Sequence, residues 1–230
     1  MPARSADSDR AAESSILIVA RPVSKLEMES PTLDLIRASI GAQTEDHSFT
    51  EPPAGAAAVA LILAGPGTDL SLCFIRRADR EGDPWSGHMA FPGGRADPSD
   101  RTNTAVAERE TLEEVGIHLD TPAFIGSLPQ MPIRRGRTDT GLALSSFVYY
   151  IGPDLLPLLP NHEVADAYWI PFKHLWDTTN SSTFELLSGG VPATYTAISY
   201  KGNLIWGLSY RVLSVFAQVI GSPLPNPPNP

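Results

Sequence analysis

The sequence predicts an α+β layered domain, and three observations predict it. Strand-like runs dominate the middle of the chain. One strongly patterned helix interrupts them and another follows the last run. The strands do not alternate regularly with helices, as a parallel βαβ array would require. The chain's 230 residues, 42% of them hydrophobic, suffice for one sizeable domain with its own core.

Taken in order, residues 1–29 are expected to be disordered or extended, because 1–15 are polar and rich in small residues and cannot bury enough to fold. Ser30-Pro31 reads as an N-cap and first helical position, with Leu33, Ile36 and Ile40 forming an apolar stripe up to Gly41. Strand-like runs at 56–64 and 70–76 are joined by Gly65-Pro66-Gly67-Thr68-Asp69, a hairpin-type turn. A short run at 88–91 ends at Pro92-Gly93-Gly94, which are expected to leave the sheet. Residues 102–115 are helical in pattern and stop at Gly116, suited to a left-handed terminus. Strand candidates follow at 123–128, 143–151, 165–170, 193–200 and 203–206. A final helix at 208–220 carries Val212, Val215, Phe216 and Val219 at helical spacing. Residues 222–230 hold five prolines and read as a disordered tail, leaving 30–221 as the domain.

A net charge of −9 argues against a general nucleic-acid grip. No apolar run is long enough to span a membrane, and residues 1–15 lack the pattern of a signal or basic transit peptide. The single cysteine, Cys73, lies between Leu72 and Phe74 and reads as a buried strand thiol in a reducing, cytoplasmic compartment. The expected partner is a small molecule; association into a homodimer stays open. An acidic protein that handles an anion must bring in positive charge locally, and a divalent cation is the obvious source.

The chemistry concentrates in Arg109-Glu110-Thr111-Leu112-Glu113-Glu114-Val115-Gly116. At about 100° per residue, Glu110, Glu113 and Glu114 share roughly one third of the helix circumference, while Ala105, Leu112 and Val115 can face the core. Like charges at these spacings cost a helix about 0.2–0.5 kcal/mol per pair. A cation against that face reverses the sign, and hard carboxylate oxygens suit Mg²⁺ or Mn²⁺. A plain solvated acidic face is the alternative, but it leaves Phe91-Pro92-Gly93-Gly94-Arg95 unexplained, where paired glycines let backbone approach a ligand.

This pattern resembles the Nudix hydrolase family, whose box runs Gly, five residues, an acidic residue, seven residues, then Arg-Glu-x-x-Glu-Glu-x-Gly and an aliphatic residue. The chain supplies Gly94, Asp100, Arg109, Glu110, Glu113, Glu114, Gly116 and Ile117, with eight residues rather than seven between Asp100 and Arg109. The resemblance implies an α/β/α sandwich with a mixed sheet and a catalytic loop–helix–loop. It implies Glu110, Glu113, Glu114 and the Gly93 carbonyl as metal ligands for Mg²⁺ or Mn²⁺. It further implies that Arg109 braces the loop through the acidic residue. The reaction implied is attack of a metal-activated water on a diphosphate. The base is Glu113, Glu114 or a loop carboxylate, for which Glu163 is the candidate; His162 beside it reads as solvated.

The stretch Arg76-Arg77-Ala78-Asp79-Arg80, the spacing from Gly87 to Phe91, and Trp206-Gly207 resemble the coenzyme A pyrophosphatase branch. The segment Gly82-Asp83-Pro84-Trp85-Ser86 departs from it, lacking that branch's second arginine. Candidate substrate contacts are Arg76, Arg77, Arg95 and the cluster Arg134, Arg135 and Arg137, since arginine suits bidentate phosphate recognition. Trp85 reads either as a stacking surface or as a loop anchor. Coenzyme A or an acyl derivative, an ADP-ribose, NADH or dinucleotide substrate, and a non-catalytic sensing role all stay open.

Overall fold

The computed structural model describes residues 18–19, 30–42, 48–83, 85–135, 138–188 and 191–225. In chain order the elements are β1 (Ile18–Val19), α1 (Leu33–Gly41), β2 (Ala57–Ala64), β3 (Ser71–Arg77), β4 (Met89–Ala90), β5 (Gly93–Arg95), α2 (Asn103–Val115), β6 (Phe124–Arg135), β7 (Thr138–Tyr150), β8 (Val164–Pro171), α3 (Phe172–Leu175), β9 (Ser181–Ser188), β10 (Val191–Tyr200), β11 (Asn203–Ile205) and α4 (Gly207–Val219).

A seven-stranded sheet runs β4-β3-β2-β7-β6, with β5 added to β2 and β8 to β3. It is mixed: β2 and β7 are parallel, and the other pairs are antiparallel. Alternation puts Leu61, Leu63, Leu72, Phe74 and Val148 on one face, packed with α1, α3 and α4. Ala58, Ala60, Ile62, Cys73, Ile75 and Phe147 take the other face, against α2. This is the α/β/α sandwich that the sequence predicted. The second sheet, β1-β9-β10-β11, is antiparallel throughout.

One detail of the main sheet positions the site. β2 and β3 pair only at Leu63 with Leu72 and Ala64 with Ser71. Beyond these pairs the strands part, and the first residues of β2 bond to β5 instead, Val59 opposite Gly93. Pro92-Gly93-Gly94 therefore joins the sheet rather than leaving it. Glycine is required there: a Cβ at 93, where φ is +149°, would collide with the Ala58 carbonyl oxygen. What reads as a chain breaker is a close-packing device.

Other expectations need correction. The N-cap of α1 is Thr32, whose side chain accepts the Leu35 amide, although Leu33, Ile36 and Ile40 are buried as expected. Leu112 is exposed; α2 turns Val106, Ala107, Glu114 and Val115 inward instead. β6 and β7 run on into a long hairpin through residues expected as loop, because Pro129 and Pro132 are tolerated on β6, an edge strand. β9 carried no clear apolar alternation in Ser181-Ser182-Thr183-Phe184-Glu185. The tail begins packed: the Trp176 indole donates to the Ser222 carbonyl at 2.8 Å, and Leu224 is buried.

Candidate active site

Helix α2 starts at Thr102, whose hydroxyl accepts the Ala105 amide at 3.0 Å, and ends at left-handed Gly116. Small residues, Ala58 and Ala60 on β2 and Ala107 on α2, share one buried cluster. They let the helix lie close enough to β2 and β5 for Glu114 to meet the glycine loop. The Gly93 amide donates to Glu114 Oε2 at 2.9 Å, and the Glu114 side chain is 2% exposed. Burial pushes its pKa up to about 8, against the opposing effect of that hydrogen bond. Glu110 is also raised by burial, with Arg109 pulling the other way. Its carboxylate occupies the space a Cβ at position 94 would fill.

Arg109 organises the rest. Its Nε and Nη2 donate to Asp100 Oδ1 and Oδ2 at 3.1 and 3.0 Å, a bidentate pair with Asp100 nearly buried. The extra residue between the two does not prevent the brace. Nη2 also donates to the Arg95 carbonyl, and Nη1 to Glu110 and Glu113, at 3.1 and 3.3 Å. The guanidinium thus fastens the 95–100 loop to the helix and holds two acidic side chains near one another.

An open cleft of about 790 Å³ runs past this constellation, lined by Gly93, Gly94, Arg95, Glu110, Glu114 and Glu163, among others. Trp85, His88, Trp206 and Leu208 also line it. Glu113, 53% exposed, sits on the solvent side of the helix. Arg80 donates to Glu163 at 2.8 Å, and Arg77 to Asp83 at 2.8 Å. Arg80 and Asp83 were not picked out as site residues from sequence, and no local pattern marks Glu163 and Arg77 as their partners. Arg76 does not join the cleft: it bonds Asp166 on β8, since neighbours along a strand point to opposite faces. The side chains of Arg134 and Arg135 and the whole of Arg137 lie outside the described residues.

Among the described residues, no three acidic, histidine or cysteine groups already converge at ion-binding distance. The carboxylates are instead spread over N–H donors, Glu114 on Gly93 and Glu110 with Glu113 on Arg109. The donor set still fits a hard divalent cation: it supplies oxygens only, from one helix face, with glycine backbone cleared above Glu110. Ligation requires Glu110 and Glu113 to turn from Arg109, whose bond to Asp100 is independent of them.

Residues 53–187 match the family described as NUDIX domain. The chain belongs to the Nudix hydrolase family. Among curated relatives, the Nudix hydrolase NudL of Yersinia pestis is 28% identical over 178 residues, 77% of this chain and 85% of that protein. A Schizosaccharomyces pombe protein is 40% identical over 109 residues, 44% of this chain; the match spans only 32% of that protein's length. A MutT/nudix family protein from Enterococcus faecalis is similar in structure, with a TM-score of 0.48 and 17% identity over 83% of this chain and 70% of that one. The Nudix box inferred from Gly94 to Ile117 falls within the matched residues. Among the described residues no helix is long and apolar enough to cross a membrane.

Proposed function

We propose that this Nudix chain is a metal-dependent hydrolase that cleaves the pyrophosphate bond of coenzyme A or an acyl-coenzyme A, giving 3′,5′-ADP and (acyl-)4′-phosphopantetheine. The observation that carries the reaction is the joint placement of Gly93, Glu114 and Glu110 at the wall of one cleft, braced by Arg109 and Asp100. A bound Mg²⁺ or Mn²⁺ would neutralise the diphosphate and lower the pKa of a water. Glu110, Glu113 and Glu114, together with the Gly93 carbonyl, would hold the cation.

Water adds across the P–O–P linkage: one P–O bond forms, one breaks, and the two phosphates part. Glu163 takes the proton of the attacking water. Arg80 occupies its Oε1, so Oε2 is the oxygen that would accept the proton. Arg95, exposed in the cleft with its guanidinium unpaired among the described residues, engages a phosphate of the substrate.

The coenzyme A assignment rests on the upstream arginines and on Trp206-Gly207, which opens α4 at the cleft. A second reading, ADP-ribose or a related dinucleotide, is favoured by one observation. Arg77 and Arg80 are each committed to a carboxylate, so neither is free for a third phosphate.

The test is a panel of coenzyme A, dephospho-coenzyme A, ADP-ribose and NADH with Mg²⁺ or Mn²⁺, products identified by mass. Coenzyme A turned over fastest, with 3′,5′-ADP released, supports the assignment. Faster ADP-ribose cleavage moves it to the second reading, and no cleavage of any diphosphate refutes both. Such a silent panel, with nucleotide binding intact, leaves the sensing role.

A further inference from the structure

The cleft is larger than a diphosphate needs; its volume lies in the range that holds a whole nucleotide-sized ligand. Trp85 comes from the loop between β3 and β4, and Leu208 from the first turn of α4. Single exposed apolar side chains are ordinary on a protein surface. These two differ from the others: of the large exposed hydrophobics among the described residues, only Trp85 (53%) and Leu208 (40%) line the cleft.

The Trp85 backbone is also held in place. Its amide donates to Asp83 Oδ1 at 3.0 Å, and Asp83 is itself gripped by Arg77 through the other oxygen at 2.8 Å. The Trp85 carbonyl accepts the His88 amide at 3.1 Å. On the neighbouring residue, the Ser86 hydroxyl exchanges hydrogen bonds with the Arg80 backbone at 2.9 Å. A loop fastened at so many points, with an indole left uncovered toward a cleft, is organised before any ligand arrives. His88 and Trp206, also in the cleft lining, pack ring to ring at 4.8 Å and add aromatic surface to it.

We propose that Trp85 and Leu208 form the base-binding end of this cleft, where a planar nucleobase attached to the scissile diphosphate stacks on the indole with Leu208 against it. The inference rests on the diphosphate reading above and adds that recognition of the nucleoside half is apolar and stacking in kind. The Arg77–Asp83 pair then serves to position Trp85 rather than to grip phosphate. An indole gives a base a large flat contact that tolerates different ring substituents.

The wild-type chain and the variants Trp85→Ala, Trp85→Phe and Leu208→Ala are titrated calorimetrically with ADP and, separately, with the base-free phosphoribosyl diphosphate, both with Mg²⁺. Trp85→Ala weakens ADP binding about tenfold or more, and Trp85→Phe restores most of it. Leu208→Ala shows a smaller loss, and phosphoribosyl diphosphate binds all four proteins alike. Unchanged ADP affinity in Trp85→Ala overturns the proposal. An equal loss for phosphoribosyl diphosphate also overturns it, since the indole is then structural. Ring-dependent ADP binding by a protein that cleaves no diphosphate upholds the base site while refuting the hydrolase reading.

Discussion

Replacing Gly94 by alanine tests the loop–helix constellation at its tightest point. A Cβ there lies 2.5 Å from Glu110 Cδ, whereas ordinary contact begins near 3.4 Å. The carboxylate must therefore retreat by about 1 Å. A displacement of that size in a catalytic group costs on the order of 10² in rate. The fold is expected to survive, because φ at 94 is not in the left-handed region and the obstacle is the end of a flexible side chain. Overpacking of this kind costs about 1 kcal/mol, at the low end of its usual range, or roughly 2–4 °C in Tm. Gly93→Ala is the contrasting variant. There φ is +149° and Val59 Cα lies 2.6 Å from the added carbon, so backbone must move and the protein should lose stability before activity can be asked about. The assay is kcat/KM on the best diphosphate at increasing Mg²⁺, beside thermal melts of both variants. A Gly94→Ala protein with wild-type rate and wild-type metal requirement would refute the placement of Glu110 at the reacting centre.

Three further outcomes follow from the same geometry. Glu114→Gln should lower turnover about 10²–10⁴-fold, and EDTA should silence the wild type until Mg²⁺ or Mn²⁺ is restored; full activity in metal-free buffer would end the mechanism. Glu163→Gln should lower kcat more than it changes KM, and an unaltered kcat would remove Glu163 as the base. Asp100→Asn should cost about 2–4 kcal/mol in urea unfolding, since it breaks a bidentate bond to Arg109 at a nearly buried carboxylate. Burial raises the Asp100 pKa, but Arg109 and the Asp97 amide outweigh it and hold the group below the ordinary carboxylate value. Its stabilisation is therefore present above the unfolded pKa of 3.8 and lost as pH falls through the lower folded value. Acid titration of wild type against Asp100→Asn should show that loss in the wild type only.

How much was legible in the sequence varies with how local the cause is. α2 was legible because its left-handed Gly116 and its acidic face lie within one short stretch. β2 and β3 were legible as apolar runs on either side of a glycine-rich turn. β5 was not, because two glycines look alike whether they free the chain or let it press against a neighbour, and only the neighbour, Ala58 on β2, decides. The same holds for Leu112 and Glu114: the helical wheel places both, but the nearby backbone of Gly93 makes burying the glutamate the better solution.

The arginines show the limit most clearly, and they carry the substrate question. Read as a string, Arg76 and Arg77 are adjacent cations available to phosphate, with Arg80 close behind them. In the fold, Arg76 turns to Asp166, Arg77 to Asp83 and Arg80 to Glu163. Each pair changes the chemistry on offer, because a guanidinium already in a charge-assisted bond must give that up before it can bind an oxyanion. Arg77 and Asp83 are only six residues apart, yet nothing in that spacing forces them together; the loop holding Trp85 does. If Asp83→Asn releases Arg77, a 3′-phosphorylated substrate should gain affinity relative to its dephosphorylated form, while the asparagine Oδ1 can still accept the Trp85 amide. Measured as the ratio of kcat/KM for coenzyme A to that for dephospho-coenzyme A, the variant should exceed the wild type by about tenfold, the worth of one recovered charge-assisted hydrogen bond. An unchanged ratio would mean that Arg77 faces no phosphate even when free, and that the arginines upstream of the box serve only to hold the loop.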